Sequence, residues 1–164
     1  MKKLILALSL LSQLYMQAQK KIEVYVPLRT FHYERDAETM RDYYKTEGGD
    51  VGLILKVDNI SAGAFRNSYG DTSFTLMYGL QFKTPKNINS SFNFGITTGY
   101  EKFYSESKIG HEFPKILKTN GLLPTALISI SYSKFKLQPT IVISPTFINA
   151  GITYQIYDST KLRN

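Results

Sequence analysis

Between Ser73 and Phe82 the chain alternates without a break. Phe74, Leu76, Tyr78, Leu80 and Phe82 share one face, while Ser73, Thr75, Met77, Gly79 and Gln81 share the other. A period of two marks a β-strand with unlike faces, here one large and apolar and one small and polar. The pattern recurs and predicts strands over residues 22–30, 51–57, 61–67, 72–82, 90–101, 122–133, 135–144 and 147–157. In the first, Ile22, Val24, Val26 and Leu28 oppose Glu23, Tyr25 and Arg29, with Pro27 among them. Short turns are expected at Asp58-Asn59, Thr84 to Asn87 and Ser133-Lys134, and long loops over residues 34–50 and 102–121.

An even number of antiparallel strands closes into a barrel with both chain ends on one side. The long loops then share one rim and the short turns the other, as in outer-membrane barrels. The expected fold is therefore all-β: an eight-stranded antiparallel up-and-down transmembrane barrel. Tyr100, Phe103 and Tyr104 are expected in an aromatic girdle at the long-loop rim, and Phe82, Tyr132, Tyr154 and Tyr157 in one at the short-turn rim.

Composition narrows the setting. The chain has 164 residues, enough for one domain. Lys2 and Lys3, the apolar run Leu4 to Leu14 and Met16-Gln17-Ala18 read as a signal peptide over residues 1–18. The barrel follows over residues 19–157 and a polar tail over 158–164. Loss of Lys2 and Lys3 lowers the formal net charge from +7 to +5. That modest basic excess suits an anionic membrane surface, and export argues against a nucleic-acid partner. The chain has no cysteine, which excludes disulfides, thiolate catalysis, Cys-ligated metals and a lipoprotein anchor. His111 has no partner at metal spacing, so neither metal nor cofactor is expected.

The candidate chemistry lies at the long-loop rim. His32 ends the first strand, and Asn67-Ser68 ends the third. A serine beside a histidine, with a third group to hold the imidazole, suggests acyl transfer. Ser68-Tyr69-Gly70-Asp71 is equally a good turn. On the inward face, Gly63, Gly79, Gly95, Gly99 and Gly151 leave room for a ligand that Phe65 and Met77 would line; alternatively these glycines relieve crowding as the barrel coils. Pro124 and Pro139, on neighbouring strands, each remove a ladder hydrogen bond. They are expected to loosen that seam for sideways entry of a lipid chain, or to sit at bulges.

Five segments, YVPLRTFHYERDAET, AFRNSYGDTSF, FNFGITTGY, GLLPTALISISYSKF and ISPTFINAGITYQIY, occur in the order found in one family. In them the chain resembles the lipid A palmitoyltransferase (PagP) family of outer-membrane barrels. The resemblance implies an acyl pocket inside the barrel and transfer of a palmitoyl chain from a phospholipid to lipid A. It implies His32 as the catalytic histidine, Ser68 as the catalytic serine, and lipid entry near strand prolines. Asn67 departs from the family, whose enzymes carry Asp there: an amide accepts a hydrogen bond from an imidazole but brings it no charge. Asp71, Glu34 and Asp36 are the carboxylates that could stand in. Membrane lipids are the expected partners, the outer membrane of a Gram-negative bacterium the expected location, and a monomer the expected state. Two other readings compete: a barrel of the same architecture without chemistry, and a soluble, lipocalin-like barrel with its apolar faces turned inward.

Overall fold

The computed structural model describes residues 21–33, 51–82, 84–106 and 110–159. The expected signal peptide, the first long loop with Glu34 and Asp36, and most of the polar tail lie outside the described residues.

Eight strands form a closed antiparallel barrel in sequence order: β1 (Lys21–His32), β2 (Gly52–Val57), β3 (Ile60–Arg66), β4 (Thr72–Phe82), β5 (Ile88–Thr97), β6 (Leu123–Tyr132), β7 (Leu137–Ile143) and β8 (Phe147–Asp158). Closure is made by β1, which pairs with β2 on one side and with β8 on the other. Every strand thus has two neighbours and the sheet has no edge. The β2–β3 turn needs only Asp58 and Asn59, with Asp58 at φ 53°, a left-handed conformation that Asp tolerates better than most residues.

The barrel is inverted relative to a water-soluble one. Ser73 is fully buried while its neighbour Phe74 is 60 % exposed. The same sense holds along β4 to β8: Ser91, Asn93, Gln138, Thr140, Asn149, Thr153 and Gln155 are buried, and Leu76, Phe94, Ile128, Ile141 and Ile156 are exposed. The lipocalin-like orientation is therefore not the one the chain adopts. Phe82, Tyr132, Tyr154 and Tyr157 are exposed towards the short-turn rim.

Inside, most polar side chains bond to one another across the strands, the buried Gln138 Oε1 being left without a partner among the described residues. Thr75, Thr97 and Thr125 form a hydroxyl chain over three strands. Asn93 donates to Ser91 and Ser129, whose hydroxyls also meet at 2.7 Å. Thr140 and Thr153 meet at 2.7 Å, and Gln138 donates to Gln155. Such pairing offsets the cost of burying polar groups.

Three features depart from the sequence expectations. The first is in β1. The β1–β8 register shifts between Pro27 and Arg29, so Leu28 is an extra residue in a β-bulge. Below it Glu23 and Pro27 are buried, as alternation requires; above it Thr30 is buried and Arg29 and Phe31 are exposed. Arg29, expected inside, lies outside with its guanidinium 5.7 Å from the Phe31 ring centroid. The second is the segment after β5, which is no loop. It folds into α1 (Glu101–Glu106), a 3-10 turn (Gly110–Glu112) and α2 (Lys115–Thr119). Phe103 and Tyr104 are buried there with Tyr69, against Tyr100, Phe113, Leu117 and Leu123. Phe103 and Tyr104 therefore form the core of a cap instead of an exposed girdle. The third is the end of β5, which stops at Thr97; Gly99, at φ +81°, turns the chain into the cap.

Candidate active site at the capped end of the barrel

The bulge has a direct consequence for His32. Continued alternation from Glu23 would send His32 outward with Ile22 and Val24; the extra residue sends it inward. Its Nε2 then lies 2.5 Å from the Ser68 Oγ, across 36 positions of sequence. With the proton on Nδ1, the Ser68 hydroxyl donates to Nε2, the arrangement in which an imidazole can take a serine proton. The ring also packs against Phe147, its partner across the β1–β8 ladder, with centroids 5.8 Å apart.

Ser68 sits in the tight connection between β3 and β4. Asn67, 1 % exposed, pins that connection. Its Oδ1 accepts from the Tyr69 and Asp71 backbone N–H groups at 2.9 and 3.0 Å. Its Nδ2 donates to the Ser73 Oγ at 3.0 Å and to the Gly99 carbonyl at 2.5 Å. Both donors and both acceptor positions of the amide are thus occupied within the loop and its junction with the cap. Asn67 does not hold the imidazole, as the sequence suggested it would; it holds the serine's loop. Asp71, another candidate partner, is engaged by Lys102 of α1 at 3.1 Å, and the same ammonium donates to the Tyr69 carbonyl at 3.1 Å.

The cap covers this region. Ser68 is 4 % exposed, and Tyr69 is equally buried beneath α1. The Tyr104 hydroxyl donates to the Leu122 carbonyl, and burial raises its phenol above the ordinary tyrosine range. Both ends of the cap carry left-handed glycines, Gly99 at φ +81° and Gly121 at φ +57°.

Below the cap, described residues line two cavities in the barrel. The upper one has His32 and Ser68 in its wall, with Pro27, Phe65, Leu123 and Phe147. The lower one carries Lys21, Glu23 and Lys56. Tyr25, Ile54, Met77, Leu127 and Val142 border both, forming an apolar waist. Phe65 and Met77 line cavities, as their inward positions implied. Gly79, Gly95 and Gly99 line neither. A Cβ at Gly79 would meet the Asn93 amide, at Gly95 the Leu76 carbonyl and the Met77 backbone, and at Gly99 the Thr72 carbonyl. These glycines admit close neighbours and leave no space for a ligand.

The prolines also differ from expectation. Pro124 lies opposite Ile96 of β5, and Pro139 opposite Ile152 of β8. The β6–β7 ladder runs only over Ile128 to Ser131 with Thr140 to Ile143. The two prolines therefore bracket this short ladder at different levels instead of sitting side by side. Above Ile128, β6 continues towards the cap while β7 has ended, so the wall beside the upper cavity is incompletely laddered there. The β1–β2 ladder is similarly confined, to Ile22 to Tyr25 with Ile54 to Val57. Sequence reasoning missed the cap and the bulge; Pro27 inside a strand was the one available signal for the latter.

No family model matches the chain, and no curated protein matches it. Among solved structures, the solution NMR structure of the de novo designed protein TMB2.3 is similar at a TM-score of 0.47 and 16 % identity, over 86 % of this chain and 98 % of that one.

Proposed function

We propose that the chain is an outer-membrane barrel that transfers an acyl chain between lipids at the His32–Ser68 dyad. The observation that carries this reading is the 2.5 Å approach of the His32 Nε2 to the Ser68 Oγ in the wall of a largely apolar cavity.

The membrane setting rests on the outer surface. Exposed Phe, Leu, Ile and Tyr cover the barrel between its rims, far beyond the apolar patches that water tolerates. Along β4 the apolar stripe from Phe74 to Phe82 spans about 20 Å at roughly 3.3 Å per residue and a tilt near 40°, approaching the apolar band of such barrels. The outward strand charges, Arg29 and Arg66, stand near the capped rim, where they can reach headgroups. A closed barrel satisfies its backbone without a partner, which fits a monomer.

In this reading an acyl chain lies in the upper cavity with its ester carbonyl at Ser68, entering from the bilayer where β6 outruns β7. The Ser68 oxygen attacks the carbonyl and its proton passes to His32. The imidazolium returns that proton to the departing glycerol oxygen, releasing a lysophospholipid. The acceptor hydroxyl then gives its proton to His32 as it attacks the acyl-serine, which regenerates Ser68. The resemblance supports a phospholipid as donor and lipid A as acceptor.

Mass spectrometry of lipid A from cells producing the protein tests this. An added acyl mass that disappears in His32→Ala is expected. Folded barrel in the outer membrane with unchanged lipid A would overturn acyl transfer to lipid A and leave a barrel without that chemistry.

A further inference from the structure

The lower cavity is built unlike the upper. Lys21, Glu23 and Lys56 are the charged groups of its wall; hydroxyls and amides, among them Ser61, Asn93 and Ser129, make up much of the remainder. Lys56 on β2 stands opposite Glu23 on β1 and Ser61 on β3, and all three point inward. Glu23 is 4 % exposed, and the Lys21 ammonium holds its carboxylate at 2.8 Å. Lys56 makes no hydrogen bond and no contact ion pair among the described residues. Asp158, opposite Lys21 in the ladder and hydrogen-bonded by the inward Gln155, adds a second carboxylate at this end of the lumen, but neither carboxylate contacts the Lys56 ammonium.

An ammonium without a contact partner in such a place is costly, and proteins offset it with a counter-ion or water. The pair of Lys56 and Ser61 can complete part of the shell of an oxyanion: the ammonium supplies charge and the neighbouring hydroxyl supplies direction, while Asn93, Ser91 and Ser129 bond to one another. Lys21 and Asn89 place this cavity beside the short-turn rim.

We infer that the lower cavity is a binding site for a small oxyanion, phosphate or carboxylate, which enters from the short-turn rim and seats on Lys56. The waist of Tyr25, Ile54, Met77, Leu127 and Val142 separates it from the dyad, so the site does not depend on acyl transfer. A free anion and a phospholipid headgroup offer the same chemistry.

Titration of the full barrel, ¹⁵N-labelled and held in zwitterionic detergent, tests this at constant ionic strength. One arm uses inorganic phosphate, the other dihexanoyl phosphatidic acid. Saturable shifts of the Lys56 and Ser61 amides are expected, with the Ser68 amide unmoved. Saturation by phosphate assigns a free solute; saturation by the phosphatidic acid alone assigns a headgroup. Lys56→Met should weaken binding at least about tenfold and Lys56→Arg by no more than about threefold, since the second keeps the charge. Lys56→Gln serves if the Met variant fails to show the heat-modifiable mobility of a folded barrel. Shifts that rise linearly without saturation in both arms, or Lys56→Met and Lys56→Gln binding as tightly as the parent, would overturn the inference.

Discussion

The two halves of the barrel interior are made from the same strands and serve different ends. Near the short turns, Ser91, Asn93, Ser129, Gln138, Thr140, Thr153 and Gln155 bond within pairs and clusters along a regular alternation, which breaks only beyond Gln155, where Ile156 is an extra residue of the β1–β8 ladder. Near the cap, each functional element rests on an irregularity: a bulge turns His32 inward, an asparagine-pinned turn presents Ser68, and a left-handed glycine bends β5 into the cap. Regular alternation builds a polar core; departures from it build a site. The His32–Ser68 pair is thereby separated from the hydrogen-bonded network of the lower half.

The sharpest way to break this division is at the dyad. Ser68→Ala and His32→Ala should each lower acyl transfer by at least about 10³-fold while leaving the urea unfolding midpoint of the reconstituted barrel nearly unchanged. A large loss of stability in either variant would make the dyad a structural element. Deleting Leu28 separates the bulge from the dyad. It removes the extra residue but leaves Arg29, Thr30 and His32 opposite Ala150, Asn149 and Phe147, so His32 still faces Ser68 and the added acyl mass on lipid A should largely persist. Loss of that mass to the level of His32→Ala would mean that the bend of the bulge, beyond its parity, positions the base.

Smaller effects separate pinning from bonding. Asn67→Asp replaces two donated hydrogen bonds with a carboxylate facing the Gly99 carbonyl, and should cost about 2 kcal/mol in unfolding free energy. Increased transfer in that variant would show that the position supports the imidazole after all. In the lower half, Asn93→Ala should cost about 1–2 kcal/mol with transfer unaltered, because Ser91 and Ser129 still bond to each other. The smallest change is expected for Lys102→Met. Its pair with Asp71 is more than a third exposed on both sides, so a stability change within about 1 kcal/mol is expected.

The regular half was legible from sequence because it obeys one rule. The bounds of β4 and the inward and outward faces of β2 to β7, and of β8 up to Ile156, follow from alternation alone. The irregular half was less legible, because its causes are not local. Residues 98–101 continue the alternation of β5 on paper, yet the strand stops where Asn67, on a different hairpin, takes the Gly99 carbonyl. Phe103 and Tyr104 looked like interfacial aromatics, since nothing near them in sequence reveals that Tyr69, Phe113 and Leu117 will enclose them. His32 and Ser68 were placed at one rim by topology, but their contact depends on the Leu28 bulge, which alternation cannot foresee. Asn67 was noticed as a substitution in a catalytic position, and its loop bonds became visible only with the backbone in place.

In a barrel strand, the parity of a residue's position decides whether it meets lipid or lumen. Substitution cannot change parity, and an inserted residue changes it for everything up to the strand's end unless the strand absorbs that residue as a bulge. Leu28 is such an absorbed residue: Arg29, Thr30 and His32 lie opposite Ala150, Asn149 and Phe147 as they would in a strand one residue shorter. The length of β1 can therefore vary by one residue at this point while the histidine keeps its place in the lumen.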